Sequence, residues 1–96
     1  TLHYRFNDAP LRDGDLLLID AGAETVNMYT GDITRTFPIN GKFTEPQRRV
    51  YEAVLTVQKR LIQMTKPGVL FKELFDYCVD GLTDALVDLG LLKGTK

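Results

Sequence analysis

Asp20 follows Leu16-Leu17-Leu18-Ile19, so a carboxylate stands where the chain should be most buried. Ionised and unpaired in an apolar setting, it would cost several kcal/mol. A cation, a set of amides or a metal must compensate it. Asp32 opens the next alternating run, Asp32 to Phe37. If residues 20 to 32 form a hairpin, the two carboxylates come side by side on neighbouring strands. Carboxylates that close repel and share a proton unless a cation lies between them. Such hard oxygen donors suit Mn²⁺, Mg²⁺ or Co²⁺. Thr34 and Thr36 fall on the same face as Asp32 and can support the ligands with hydroxyls. A plainer reading stands beside this one. Asp20 before Ala21-Gly22 can cap a turn through its own amides, and Asp32 after Gly31 can be a turn residue. Spacing alone leaves both open.

The elements that position these residues read as follows. Asn7-Asp8-Ala9-Pro10 and Arg12-Asp13-Gly14-Asp15 form a surface connection. Leu16 to Ile19, apolar without alternation, reads as a strand buried on both sides. The chain reverses around Val26 to Gly31, and strands are expected near 15–21, 24–30 and 32–38. In the last, Ile33 and Phe37 point away from Asp32, and Arg35 is the misfit on their side, its head bound for an edge or an anion. Thr44 with Gln47 forms a capping box. The helix after it carries Val50, Val54, Val57, Leu61 and Met64 as an apolar stripe. Lys66-Pro67-Gly68 stops it. A second helix is expected over about 70–89, with Leu74, Cys78, Leu82, Ala85 and Leu89 inward and Gly90 as its C-terminal cap. Asp76, Asp80, Asp84 and Asp88 form an acidic line along it, read as a solvated ridge, with docking of a basic partner as the lesser alternative.

Composition narrows the class. The sequence has 96 residues, 44% hydrophobic and 26% charged, with a formal net charge of -1. That describes one globular unit with a modest core and no electrostatic pull toward nucleic acid or an anionic membrane. No apolar run is long enough to span a bilayer. The single cysteine excludes an internal disulfide and fits a reducing, cytoplasmic compartment. Cys78 itself reads as a small core residue, not a nucleophile. Both ends, Thr1-Leu2-His3-Tyr4 and Gly94-Thr95-Lys96, look cut, which suggests a piece of a longer protein.

The motifs carry a resemblance. Leu16 to Glu24 ending in Asp20-Ala21-Gly22-Ala23-Glu24, then Gly31-Asp32-Ile33-Thr34-Arg35-Thr36-Phe37-Pro38, then Asn40-Gly41-Lys42-Phe43-Thr44 and Gln47, are similar to the aminopeptidase P and prolidase family. The similarity continues through Tyr51, Val54, Leu55 and Lys66-Pro67-Gly68 and looks closer to Xaa-Pro peptidases than to methionine aminopeptidases. It implies an α+β class: residues 1–96 as the N-terminal half of a pita-bread catalytic domain, a small mainly antiparallel sheet covered on one face by two helices.

That resemblance also implies a site. Two divalent ions, Mn²⁺ by preference, are held in the family by two aspartates, one histidine and two glutamates. Asp20 matches the aspartate that chelates one ion, and Asp32 the aspartate that bridges both. His3 matches a histidine that lines the substrate site and helps bind the scissile carbonyl; taken alone, it reads as a surface residue. The remaining ligands would lie beyond Lys96. Weak or partial metal binding and no peptidase activity are therefore expected of this chain alone. The implied partners are a peptide with proline in second position, the second half of the domain, and a second copy covering the open face. A non-catalytic pita-bread interaction module and a metal-free creatinase-like relative are the competing classes. Retention of both Asp20 and Asp32 argues against each.

Overall fold

The structure is a computed structural model and describes residues 4–94. It comprises two units, one ending at Thr44 and one beginning at Glu45. The first is a hairpin of strands β1 (Leu16–Glu24) and β2 (Thr30–Pro38), paired antiparallel from Leu16 opposite Pro38 to Glu24 opposite Thr30. The second is a helix pair, α1 (Glu45–Met64) and α2 (Phe71–Asp88).

The expected strand over 24–30 is absent as such, because residues 25–29 turn the chain between Glu24 at the end of β1 and Thr30 at the start of β2. Met28 N–H donates to the Thr25 carbonyl (2.9 Å), and Thr25 N–H donates to the Tyr29 carbonyl (2.9 Å). Met28 takes φ +63°, the left-handed conformation that lets a three-residue loop match the strands' twist. Gly22 sits inside β1, so that strand runs three residues past its expected end at residue 21. At the open end Ile39 N–H donates to the Asp15 carbonyl (3.0 Å), and Asn40 Nδ2 donates to Asp13 Oδ1 (2.6 Å). These bonds tie the Arg12–Asp15 turn to the end of β2 and lock the register.

Leu16 to Ile19 are not buried on both sides. Leu17 is half-buried, while Leu16, Leu18 and Ile19 are 44%, 62% and 44% exposed. A two-stranded ribbon gives each strand one neighbour and cannot close a core over either face.

In the helical unit, Thr44 stands immediately before α1, and Pro46 falls in the first turn, where its missing N–H has no intrahelical acceptor to lose. Arg48 pairs with Glu45 (2.9 Å) and Glu52 (3.2 Å); the hydrogen bonds it donates to Glu45, and then the charge of Glu45, hold the guanidinium pKa above its ordinary value. Gly68, at φ +93°, completes a turn after Pro67 in which Val69 N–H reaches the Lys66 carbonyl (3.2 Å). α2 ends at Gly90, φ +72°, with Gly90 N–H on the Val87 carbonyl and Leu91 N–H on the Leu86 carbonyl, both 2.9 Å. That is the Schellman arrangement expected of a glycine there.

The seam between the helices centres on Val57, 7% exposed. Opposite it is Gly81, whose missing Cβ would lie 3.1 Å from Val57 Cγ2. Leu74, Cys78, Leu82, Ala85 and Leu89 are half-buried, as the periodicity requires. The stripe on α1 is shorter than expected. Leu61 and Met64 are half-buried with Val57, but Val50 and Val54 are 41% and 51% exposed. Val54 stands roughly 60° round the helix from Val57, on the flank of the seam. The four aspartates of α2 are exposed, and Lys72 Nζ meets Asp76 Oδ2 at 2.5 Å, so the ridge is solvated. Among the described residues, no helix is long and apolar enough to cross a membrane.

Candidate metal centre

Side chains alternate along a strand, and directly paired residues share a face. The register pairs Asp20 with Thr34 and Gly22 with Asp32. All four therefore lie on one face of the hairpin. Ile19, Arg35, Ala21 and Ile33 occupy the other. Neither aspartate caps a turn, since both lie inside paired strands. The two carboxylates stand on the diagonal of neighbouring strands, with Thr34 and Gly22 at the other corners. Residues so placed have Cα atoms about 7–8 Å apart, with Cβ atoms somewhat closer. That spacing lets two carboxylates converge on an ion.

The face is asymmetric. Thr34 Oγ1 donates to Asp20 Oδ1 at 3.1 Å, tying one carboxylate across the strands. Asp32 instead faces a residue with no side chain. Gly22 is required there, because a Cβ would meet the Gly31 carbonyl oxygen at 2.8 Å. Thr34 was legible in the sequence as a supporting hydroxyl. Gly22 was missed, although its place two residues after Asp20 was the available signal.

Asp20 also lines an open depression of about 930 Å³ shared with Tyr4, Arg5, Leu11 and Leu18. Tyr4 anchors its rim: its hydroxyl donates to the Asp8 carboxylate and accepts from Asp8 N–H (3.1 Å). His3 lies outside the described residues. The misfit Arg35 finds a main-chain acceptor rather than an anion, its Nη1 donating to the Thr34 carbonyl at 2.8 Å.

Both aspartates are exposed, so the burial cost expected for Asp20 is not carried by this ribbon. As a donor set they are hard oxygens of the type that Mn²⁺, Mg²⁺ and Zn²⁺ all accept. They fit a divalent ion as part of its shell only. Among the described residues, no group of three or more His, Cys, Asp or Glu is placed to hold one.

Residues 1–95 match the model of metallopeptidase family M24. The chain is 59% identical over 93 residues to a Haemophilus influenzae Xaa-Pro aminopeptidase, covering 97% of this chain and 21% of that protein. It is 48% identical over 93 residues to the Escherichia coli Xaa-Pro aminopeptidase, with the same coverage of 97% and 21%. Among solved structures it superposes on Escherichia coli aminopeptidase P, as a histidine-to-alanine variant and as a zinc-substituted form in complex with product. Each gives a TM-score of 0.91 at 48% identity, over 98% of this chain and 21% of that one. The α+β architecture is thus a piece of the pita-bread fold of those enzymes, and the chain spans about a fifth of the length of its relatives.

Proposed function

The chain belongs to metallopeptidase family M24, and we propose that it is the segment of an Xaa-Pro aminopeptidase that supplies two aspartate ligands, Asp20 and Asp32, to a divalent-metal centre. The observation that carries this reading is the strand register, which sets both carboxylates on one face of a hairpin, with a supporting hydroxyl on Asp20 and a glycine opposite Asp32.

The whole protein would hydrolyse the bond between an N-terminal residue and a following proline. A bound pair of divalent ions, Mn²⁺ by preference, supplies Lewis acidity and a nucleophile available at neutral pH. The chain's own residues do the rest of what can be assigned to it. Asp20 and Asp32 contribute negative charge and fix the direction from which the ions are approached. Thr34 restrains Asp20. His3, by the resemblance, donates toward the carbonyl oxygen as charge develops there. The exposed Leu16, Leu18 and Ile19 and the depression beside Asp20 are surface for the remainder of the domain and the substrate.

Two carboxylates alone cannot clamp two ions, so the 96-residue chain is expected to release no N-terminal residue from an Xaa-Pro peptide. Grafted in place of the matching segment of the Haemophilus influenzae relative, it should support metal-dependent cleavage, and Asp20→Asn or Asp32→Asn in that chimaera should abolish it. A chimaera that works equally well without both carboxylates would refute the assignment.

A further inference from the structure

We propose that Thr34 is a positioning residue for the metal centre, fixing the Asp20 carboxylate so that its remaining lone pairs are presented as a prepared ligand; this rests on the reading of Asp20 and Asp32 given above. Thr34 is the direct cross-strand partner of Asp20, which places the two Cβ atoms about 4.5–5.5 Å apart. A β-branched residue in a strand has few χ1 choices, so the backbone itself sets where the hydroxyl lies. From there Oγ1 donates to Asp20 Oδ1 at 3.1 Å. An ionised carboxylate has about four acceptor positions, and one donated bond leaves the others for a cation while removing much of the side chain's rotational freedom.

The neighbouring corner shows what the hydroxyl adds. Asp32 stands opposite Gly22, so no side chain crosses the hairpin to restrain it. The next threonine on the same face, Thr36, is paired with Leu18, which offers no acceptor on its side chain. Of the two, only Thr34 faces a carboxylate directly. Residues that orient a metal ligand typically change affinity ten- to a hundredfold when their hydrogen bond is lost.

The test is paramagnetic broadening of backbone amide resonances of the 96-residue chain by free Mn²⁺ at a fixed, sub-saturating concentration, where broadening tracks occupancy. Thr34→Val keeps the shape and removes the donor; it should cut the broadening around residues 20 and 32 at least tenfold while the hairpin's amide shifts outside Asp20 and position 34 stay in place. Thr34→Ser keeps the donor and should retain most of the wild-type effect. If Thr34→Val and wild type broaden equally while Asp20→Asn abolishes the effect, the positioning role is overturned and the site stands. Equal loss in Thr34→Val and Thr34→Ser also overturns it, since the hydroxyl would then not be what matters. If Asp20→Asn leaves the broadening unchanged, the ligand assignment falls, and this inference with it.

Discussion

Gly22 stands directly opposite Asp32 across the hairpin, and a Cβ on it would approach the Gly31 carbonyl oxygen to 2.8 Å. Backbone carbonyls cannot swing aside as a flexible side chain can, so the ribbon itself would have to shift. Gly22→Ala should therefore cost about 1–3 kcal/mol, the usual range for forcing extra volume into a close contact. Amide chemical shifts over residues 20–34 should move, and Mn²⁺ broadening near Asp32 should fall. An alanine variant with wild-type shifts would mean that the strands do not approach this closely.

Met28 holds φ +63° at the tip of the same hairpin and is 81% exposed. A side chain in that conformation costs roughly 1–2 kcal/mol that glycine does not incur. Met28→Gly should raise hairpin stability by about 0.5–1 kcal/mol once glycine's greater freedom in the unfolded chain is deducted. Met28→Val, β-branched, should lower it. Hydrogen-exchange protection of the β1 and β2 amides reads both; protection that drops in Met28→Gly would contradict the loop geometry.

The helix pair makes a separate prediction. Gly81 leaves 3.1 Å between a would-be Cβ and Val57 Cγ2, at the buried side chain of the helix seam. Gly81→Val should destabilise the helices by about 1–3 kcal/mol through overpacking. Adding Val57→Ala to that variant should recover part of the loss, whereas Val57→Ala alone is destabilising. Such non-additivity marks direct contact. Urea unfolding followed by circular dichroism measures it, and strictly additive effects would place the two residues apart.

Much of this architecture was legible from residue type. The alternation of Asp32, Thr34 and Thr36 against Ile33 and Phe37 assigned the faces of β2, and Gly90 marked the end of α2. The supposed strand over 24–30 failed because Val26, Met28 and Tyr29 have strand-forming side chains while the turn depends on Met28 adopting a conformation usually left to glycine. The strand expected to end at residue 21 continues through Gly22, where the strands approach too closely for a Cβ. Burial of Leu16 to Ile19 was misjudged because an apolar run reports what a residue would prefer to touch, not whether its neighbours are present in the same ninety-six residues. Asp20 and Asp32 were singled out as candidates by type and resemblance, but their diagonal placement depends on register, which the loop sets and spacing does not reveal.

The face that carries Asp20 and Asp32 is expected to have an affinity for divalent cations that the other acidic surface lacks. Mn²⁺ titrated into the isotopically labelled chain measures this residue by residue. Broadening should centre on residues 20–22 and 32–34, exceed that along Asp76, Asp80, Asp84 and Asp88, and vanish in Asp20→Asn and Asp32→Asn. Broadening that centres on the α2 ridge, or that survives both substitutions at the hairpin, would contradict it.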